Sequence, residues 1–465
     1  MNRIVPLILA VALFMEQMDS TVISTALPAI ASDLGVGPIT LKLALTAYMV
    51  ALAIFIPVSG WMADRFGAKT IFRWAIAVFV TGSVLCALSQ SLVQFVLFRF
   101  LQGAGGAMMT PVGRLVLLRT TKRSELVAAM AYLTIPALIG PMAGPPLGGF
   151  ITTYFSWHWI FLINVPIGIL GIWLATVVLP EIDTPRPPPM DIYGFLLVAI
   201  STSGVVFGLS VISLPALPPV TGYASVMAGA LALVLYLRHA KVHPAPILDP
   251  HIFSNPGFRA SVTGGSIFRI AVGAVPFLTP LMLQVGFGLN PLQSGMITFA
   301  GAIGAISTKF LAQRVFAAVG FRTTLIAAAM LSAVTTAANG FFEPTTPAIV
   351  IIGFLLLAGF TRSFFFTGVN ALGYADIPDE TASQATSMSS VAQQVSLALG
   401  VAFAAVILEG ASSLRGGPLQ VSDFHLAFFM VAAFSLAGML PFLGLDKRIG
   451  AAVSGHRRVV TKRQA

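Results

Sequence analysis

Long apolar runs recur from one end of the chain to the other, broken by prolines, glycines and clusters of charged residues. Many of these runs approach the ~20 residues that an α-helix needs to cross a bilayer. Dividing the chain at the breaks predicts fourteen membrane-spanning helices. Their predicted ranges are 4–28, 40–62, 71–90, 92–115, 127–150, 157–180, 191–212, 220–238, 260–285, 292–316, 322–342, 346–373, 384–410 and 424–445.

The composition strengthens this prediction. Of the 465 residues, 57% are hydrophobic and 9% are charged, whereas a soluble protein has about 25% charged residues. A water-soluble fold is therefore excluded, and we expect an all-α polytopic membrane protein. The first run contains Glu16 and Asp19, which the core of a signal peptide would not tolerate, so we expect it to remain as the first helix. Cys86 is the single cysteine, so no disulfide can form within the chain.

The basic residues predict the orientation. An even number of spans places both termini on one side, and the loops of that side hold most of the 26 Lys and Arg residues. The loops of the opposite side hold only Lys42 and Arg415. Because cytoplasmic loops retain positive charge, we expect both termini to be cytoplasmic. The net charge of +10 then lies beside anionic headgroups, so we expect membrane lipids and not nucleic acid as its partner.

The order of the spans predicts two bundles with an insertion. A weak internal repeat supports this division, because Gly60–Lys69 after the second span and Gly320–Arg322 after the tenth both combine aromatic, glycine and basic residues. Paired bundles around a central site are typical of secondary transporters. The predicted domains are a six-helix bundle at 1–180, a linker and two inserted helices at 181–256, a second six-helix bundle at 257–446, and a basic cytoplasmic tail at 447–465.

Five motifs resemble those of a known family. The loop segment Gly60–Lys69 resembles the loop signature of the major facilitator superfamily, and two further segments resemble its fourth-helix motif and its fifth-helix antiporter motif. Two others are similar to signatures of the fourteen-helix drug:proton antiporters of EmrB/QacA type. The fourth-helix motif is Arg99–Ala107, and the fifth-helix antiporter motif is Gly140–Gly149. The two signatures of the drug:proton antiporters are Met18–Pro28 and Trp157–Pro166.

The resemblance implies a proton-coupled antiporter of the cell inner membrane that exports lipophilic drugs or small metabolites by alternating access. It implies a monomer driven by the proton gradient, with no cofactor and no metal. An exporter dedicated to an anionic or zwitterionic metabolite is the alternative. The sequence has no Gly-Lys dipeptide, which ATP-binding loops require. An intramembrane enzyme or a transport-silent sensor is disfavoured, because the six histidines lie in loops, near span ends or in the Trp157–Trp159 motif, and the tail is short.

Three charged residues inside the spans are candidates for proton coupling. Glu16 and Asp19 share one helical face, and a carboxylate at this depth is costly unless it is paired, solvated or protonated. Arg99 lies at a depth similar to that of Asp19, so the two could form an ion pair. An Asp balanced between burial and a cation can gain and lose a proton. The alternatives are a permanent Asp19–Arg99 salt bridge and a Glu16 that only contributes to a polar cavity wall.

Two motifs predict gating elements. Small residues spaced by four in the fifth span let another helix approach closely, and the prolines between them favour bending, although simple close packing is the alternative. The resemblance implies that the loop motif forms a latch with the helix that starts near 381–384, and an ordinary solvated turn is the alternative; Ala68 stands where a second basic residue is usual in the family. The gate residues are Gly140, Pro141, Gly144, Pro145, Gly148 and Gly149 in the helix, and Gly60, Asp64, Arg65, Gly67 and Lys69 in the loop.

The charges within the spans bear on the substrate. The predicted spans contain two acidic and four basic residues, so their formal charge is positive. It stays positive without Lys309, whose side chain we expect to reach toward the membrane surface. This favours anionic, zwitterionic or neutral substrates over strongly cationic ones, whereas the resemblance favours drugs of many kinds. The predicted substrate-cavity residues are Gln102, Arg269, Arg362, Phe365, Asn370 and Gln394.

Overall fold

The computed structural model describes residues 4–121, 126–181, 189–212, 218–378, 381–446 and 449, without the side chains of residues 118, 126–138, 309–310, 313 and 383. The linker at 182–188, the tail residues other than 449, and the Lys309 side chain therefore lie outside the described part of the chain. The described residues form seventeen α-helices. In chain order they are α1 (Ile4–Val22), α2 (Leu27–Asp33), α3 (Lys42–Phe66), α4 (Ala68–Ala87), α5 (Leu92–Thr120), α6 (Leu126–Tyr154), α7 (Trp159–Leu162), α8 (Asn164–Val178), α9 (Ile192–Val211), α10 (Pro219–Val242), α11 (Pro256–Leu281), α12 (Pro291–Val319), α13 (Phe321–Ala338), α14 (Ala348–Tyr374), α15 (Ala382–Arg415), α16 (Val421–Ala437) and α17 (Leu440–Leu443).

Each predicted span coincides with one helix or with a pair of helices. The first, sixth and fourteenth spans are each broken in two, close to Pro28, Pro166 and Pro441. Proline lacks an amide hydrogen and suits the first turn of a helix, where that hydrogen would have no partner within the helix. Each of the three prolines lies in the first turn of the second helix of its pair. The breaks therefore have a cause that is visible in the sequence.

Twelve of the described helices are long and apolar enough to cross a membrane, counted with the short turns that extend them. The all-helical multi-pass architecture is thus confirmed, but the predicted count of fourteen is not reached. The two predicted spans outside the twelve correspond to α6 and α12, which have 29 residues each. Both helices include residues whose side chains lie outside the described part of the chain.

The long helices pack as two similar bundles. In the first bundle α1 packs along α6 and α3 along α5, and in the second α11 packs along α15 and α12 along α14. These pairs are equivalent if the second bundle repeats the order of the first. Between the bundles, α6 contacts α12 and α3 contacts α15. Two helix pairs therefore form the interface that a central site would adjoin.

The predicted gate loop is shorter than the sequence suggested. α3 continues through Asp64 and Arg65, and only Gly67 separates it from α4. Gly67 has a φ of 88°, a left-handed value that glycine adopts without strain. Gly320 connects α12 and α13 in the same way, with a φ of 82°. The two bundles share this junction at the places where the sequence indicated a repeat.

The inserted helices α9 and α10 pair through glycines. A Cβ atom added at Gly204 would lie 2.9 Å from Gly229 Cα, and one added at Gly208 would lie 2.7 Å from Gly222 O. Small residues at such positions let two helices in a membrane approach closely. α9 also contacts α3 and α15, one helix from each bundle. The inserted pair therefore lies against the junction of the two bundles.

Candidate functional site

A buried ion pair joins α1 to α5. Arg99 Nη1 lies 2.7 Å from Asp19 Oδ2, and the two side chains are almost completely buried. The ion pair that the similar depths predict is therefore present. Because buried ions are costly unless they are paired and fully hydrogen-bonded, the groups around this pair decide what it can do.

Three neutral side chains complete the surroundings of Asp19. Its Oδ1 accepts hydrogen bonds from Gln102 Nε2 and Asn164 Nδ2, each at 2.9 Å. Ser83 Oγ accepts hydrogen bonds from the same two amides, at 3.1 and 2.8 Å. Gln102 Oε1 accepts a further bond from Arg99 Nη1 at 2.6 Å. Side chains from α5 and α8 thus bind this residue of α1, a side chain of α4 binds both of their amides, and every donor to Asp19 suits an ionised carboxylate.

The Arg99 guanidinium also faces aromatic rings. It lies 4.3 Å from the centroid of the Tyr48 ring and 5.9 Å from that of Phe161. Such cation–π contacts stabilise a desolvated cation. Among the described residues, Arg99 Nε and the Tyr48 hydroxyl have no hydrogen-bond partner. The edge of the cluster near these two atoms therefore retains unused bonding capacity.

Glu16 lies one helical turn before Asp19 but in a different setting. Its side chain is buried, and Oε2 accepts a hydrogen bond from Thr110 Oγ1 at 2.7 Å. A hydroxyl both donates and accepts hydrogen bonds, so Thr110 can serve Glu16 whether the carboxyl is ionised or protonated. The two carboxyls of α1 therefore differ in what protonation would cost.

The glycine series of α6 faces α1. A Cβ atom at Gly144 would lie 2.1 Å from Thr21 Oγ1, and one at Gly148 would lie 2.3 Å from Val22 O. A Cβ atom at Gly140 would likewise lie 2.9 Å from the carbonyl oxygen of Phe14. α1 and α6 therefore approach each other so closely that there is no room for a side chain at these glycines. The four-residue spacing of the glycines predicts this close approach.

On another face, α6 contacts α12 of the second bundle. A Cβ atom at Gly149 would lie 2.4 Å from Pro291 O, and one at Gly295 would lie 2.3 Å from Pro145 O. α6 is one continuous helix through Pro141 and Pro145, whereas the sequence indicated a bend or a flexible point there. The neighbouring helices α1 and α12 enclose this part of α6, which supports the unbroken helix.

A second ion pair crosses between the bundles. Lys42 Nζ, at the start of α3, lies 2.5 Å from Glu409 Oε2 in α15, and the Lys42 side chain is fully buried. Gln284 Nε2 donates a hydrogen bond to Thr25 O at 3.0 Å, also between the bundles. These contacts lie at the helix ends remote from Ile4, which we call the far side. The side on which α1 begins is the N-terminal side.

The residues of the loop motif lie on the N-terminal side. Asp64 Oδ1 lies 2.7 Å from Arg119 Nη2, in a partly exposed pair between the ends of α3 and α5. At the start of α15, the predicted latch partner, Gln384 binds Pro246 O and the Asp249 amide, each at 3.3 Å. The other motif residues are Gly60 and Arg65 in α3, Gly67 between the helices and Lys69 in the first turn of α4.

A cavity of about 350 Å³ lies between α12 and α14 of the second bundle. Two predicted cavity residues, Arg362 and Asn370, are in its lining. Within the described residues, Arg362 has no acidic partner. The complete lining is Ala305, Gly359, Arg362, Ser363, Phe366, Thr367 and Asn370.

The other predicted cavity residues lie behind or away from this lining. Arg269 is 3% exposed, and its guanidinium lies 5.1 Å from the centroid of the Phe366 ring, which lines the cavity. Phe365 is fully buried and stacks on Phe268 with the ring centroids 3.9 Å apart, so it backs the wall. The remaining two are Gln394, half-buried on α15, and Gln102, in the Asp19 network.

Four residues of the site were not assigned from the sequence. Their signal is weak, because each is an uncharged polar side chain within an apolar span and many such side chains only bond to their own helix. Asn164 had the best signal, since it lies in the Trp157–Pro166 motif. The four are Tyr48, Ser83, Thr110 and Asn164.

Comparison of the sequence with known proteins identifies relatives over most of the chain. The family model described as Major Facilitator Superfamily matches residues 9–401. A Yersinia enterocolitica protein with the name multidrug resistance protein MdtD is 36% identical over 408 residues, which cover 86% of this chain and 85% of that protein. The protein of the same name from Pectobacterium carotovorum is 37% identical over 401 residues, which cover 86% of each chain.

Solved structures share the fold. A D-xylose-proton symporter superposes with a TM-score of 0.69 at 15% identity, over 96% of this chain and 98% of that one. The POT family transporter PepTSo superposes with a TM-score of 0.68 at 14% identity, over 98% of this chain and 99% of that one. At such identities the likeness concerns the fold alone. On the family match and the relatives together, the chain belongs to the major facilitator superfamily of membrane transporters.

Proposed function

We propose that the chain is a proton-coupled antiporter that exports lipophilic drugs or small metabolites by alternating access. The relatives named as multidrug resistance proteins support drug export. In this proposal the proton gradient supplies the energy and no cofactor takes part. The protein acts as a monomer in the cell inner membrane, with lipids around it and both termini in the cytoplasm.

The observation that carries the proposal is the pair of buried carboxyls in α1. Protonation of Asp19 would remove the negative charge that pairs with Arg99 and leave a buried cation without its counter-charge, although Oδ1 could still accept hydrogen bonds from the two amides. Protonation of Glu16 keeps the bond with Thr110, whose hydroxyl can reverse its direction. We therefore assign the exchanged proton to Glu16, and a positioning role to Asp19 and Arg99.

The contacts between the bundles support alternating access. On the far side, the α6–α12 contact and the Lys42–Glu409 pair close the interface. Opening that side requires these contacts to separate. In the proposed cycle, Asp64 then exchanges Arg119 for the start of α15, which closes the N-terminal side. The described conformation would thus be the one that receives substrate from the N-terminal side.

We also propose that α6 and α12 cross the membrane, which gives fourteen spans as in antiporters of EmrB/QacA type. α6 runs parallel to α1, since Gly140 lies beside Phe14 and Gly148 lies beside Val22. A helix that accompanies a spanning helix in this way spans the same layer. An even number of spans places both termini on one side, and the basic loops favour the cytoplasm.

Transport by the purified protein in liposomes tests the main proposal. A pH gradient is imposed, a panel of lipophilic drugs of each charge sign is offered, and the drug and internal pH are followed together. Uptake or release of at least one drug against a proton flux supports antiport. Drug movement that is the same with and without the gradient contradicts it.

A second candidate function is export of an anionic or zwitterionic metabolite, with drug efflux incidental. The observation in its favour is Arg362 in the cavity lining, without an acidic partner among the described residues, and Arg269 behind Phe366. A cationic ligand near these groups would meet repulsion of roughly 4 kcal/mol per charge at 4 Å in an effective dielectric of about 20. An anion would gain by a similar amount.

Binding of two ions with matched shape distinguishes the candidates. Tetraphenylborate and tetraphenylphosphonium have similar size and opposite charge, so calorimetric titration of each into the purified protein isolates the effect of sign. Tighter binding of the anion, reduced in Arg362→Gln, supports the second candidate. Tighter binding of the cation, unchanged in Arg362→Gln and Arg269→Gln, rejects it.

A further inference from the structure

The two inserted helices carry a cluster of possible metal ligands that transport does not use. His239 lies in the last turn of α10, His243 follows one turn later, and Asp191 directly precedes α9. The helix pairing brings one ligand atom of each residue within 4.8 Å of the others. Two imidazoles and one carboxylate form a ligand set that zinc accepts, with a fourth position left for water.

The distances suit a small rearrangement around an ion. His239 Nε2 lies 2.8 Å from Asp191 Oδ1, and the rings of His239 and His243 have centroids 4.9 Å apart. Ligand atoms around tetrahedral zinc lie about 3.4 Å from each other, given bonds of about 2.1 Å. Binding would therefore widen the close pair slightly and draw His243 inward. His243 is half-buried at the end of a helix, where its side chain can turn.

The surrounding backbone orients the carboxylate. Asp191 Oδ1 accepts a hydrogen bond from the Gly194 amide at 2.8 Å, and Oδ2 accepts one from the Ile247 amide at 3.3 Å. Burial alone would raise the pKa of Asp191, but these amides and His239 outweigh it and lower that pKa below its usual value. Outer hydrogen bonds of this kind fix metal ligands in place.

We propose that Asp191, His239 and His243 bind one divalent transition metal ion, with Zn²⁺ as the fitting ion. Imidazole nitrogen suits zinc well, and the partly buried site shields the ion while leaving it an open side. The ion takes the place of the hydrogen bond between His239 Nε2 and Asp191 Oδ1, so these two atoms separate to admit it. The site lies outside the Asp19 network and the Arg362 cavity.

The position of the site gives the ion a structural consequence. Asp191 binds the Ile247 amide, and the adjacent Pro246 and Asp249 bind Gln384 at the start of α15. A bound ion would fix α9 to the end of α10 and thereby hold this segment against α15. Zinc therefore braces the inserted pair against the second bundle on the N-terminal side.

The test is zinc binding by the full-length protein, purified without a polyhistidine tag and stripped with a chelator. Calorimetric titration and metal analysis after gel filtration are run on the wild type and on His243→Gln, which keeps the Asp191–His239 pair. The matched control is His251→Gln, because His251 also pairs with an aspartate at 2.8 Å but is exposed and, within the described part of the chain, belongs to no such cluster.

We expect one Zn²⁺ per chain in the wild type and in the His251→Gln control, and binding at least about tenfold weaker in His243→Gln. Zinc should also raise the Tm of the first two proteins and leave that of the third unchanged. No stoichiometric zinc in the wild type, or equal binding by all three, overturns the proposal. Either result leaves the transport proposal untouched.

Discussion

Asp19 and Arg99 act as one electrostatic unit, so changing either should affect both folding and transport. Asp19→Asn leaves the Arg99 cation buried without its counter-charge, and breaking a buried pair in this way costs about 3–5 kcal/mol. We expect a clearly lower Tm and loss of transport. Arg99→Lys keeps the charge but loses the forked geometry of the guanidinium, so its Tm and its transport rate should lie between those of the wild type and of Asp19→Asn. Thermal denaturation in detergent measures the order.

Arg99→Ala provides the contrasting case, because it removes the buried cation and leaves the carboxylate. It should be inactive and as unstable as Asp19→Asn. A wild-type Tm and full activity in both variants would contradict the electrostatic account of this pair.

Glu16 should behave differently from Asp19. Glu16→Gln keeps a side chain that can bond with Thr110 but cannot exchange a proton, so we expect an unchanged Tm and transport that no longer responds to a pH gradient. Thr110→Val is the control, since it removes the hydroxyl and keeps the titratable carboxyl. Drug flux that still follows the pH gradient in Glu16→Gln would exclude Glu16 as the proton carrier.

Charged residues of this site could be found from the sequence, but their neutral partners could not. A carboxylate or guanidinium inside an apolar span is costly unless it is paired, solvated or, for a carboxylate, protonated. Asp19 and Arg99 therefore stand out in the sequence, and their similar depths indicate a pair. Ser83 and Asn164 carry no such cost, and their role depends on how α4 and α8 are turned toward α1. For Phe365 the sequence does not distinguish a cavity wall from a core, because apolar side chains suit both equally well; the structure places this ring fully buried behind the wall.

At the scale of helices, the contact of α6 with α1 should tolerate no added methyl group where a glycine faces the backbone of the other helix. A Cβ atom at Gly148 would lie 2.3 Å from Val22 O, a backbone atom that cannot turn away. We expect Gly148→Ala to lower both the Tm and the transport rate. The control is Gly353→Ala in α14, where nothing lies within 4 Å of the added atom. It should be neutral or slightly stabilising, because alanine favours helix by about 1 kcal/mol over glycine.

The helices themselves follow closely from the sequence, whereas their ends and connections do not. The length of an apolar run and the positions of prolines determine where a span lies, because backbone N–H and C=O groups in the bilayer core must be hydrogen-bonded within the helix. The α3–α4 connection was expected as a loop because Asp64 and Arg65 are charged. Both can extend a helix into water, and Gly67 reverses the chain alone.

At the scale of the whole molecule, the Lys42–Glu409 pair should hold the far side closed. Lys42→Met removes the buried cation between the bundles, so we expect the far side to open more often. The readout is Ser294→Cys in a Cys86→Ser background, because Ser294 is fully buried in the first turn of α12. Labelling by a membrane-impermeant maleimide should become faster when Lys42 is replaced.

The matched control breaks an ion pair inside one bundle. Arg415 pairs with Asp423 between α15 and α16, both in the second bundle, so Arg415→Gln should leave the labelling rate unchanged. Equal rates in Lys42→Met and in the Arg415→Gln control would mean that the Lys42–Glu409 pair does not govern opening of the far side.

The arrangement of the bundles could be predicted only in outline. Span order and the weak repeat indicate two bundles, and the shared glycine junctions agree with that. Which helices meet between the bundles depends on side chains from distant parts of the chain, such as Lys42 and Glu409. Nothing in the sequence around either residue indicates which residue it pairs with.

The most direct test of the central claim is simultaneous recording of drug and proton movement in liposomes that contain either the wild type or Glu16→Gln. We predict that at least one drug of the panel drives an opposing proton flux in the wild type, and that Glu16→Gln shows no drug-driven proton flux while remaining folded. Drug transport by the wild type without proton movement, or equal drug-driven proton flux in both proteins, would contradict proton antiport through Glu16.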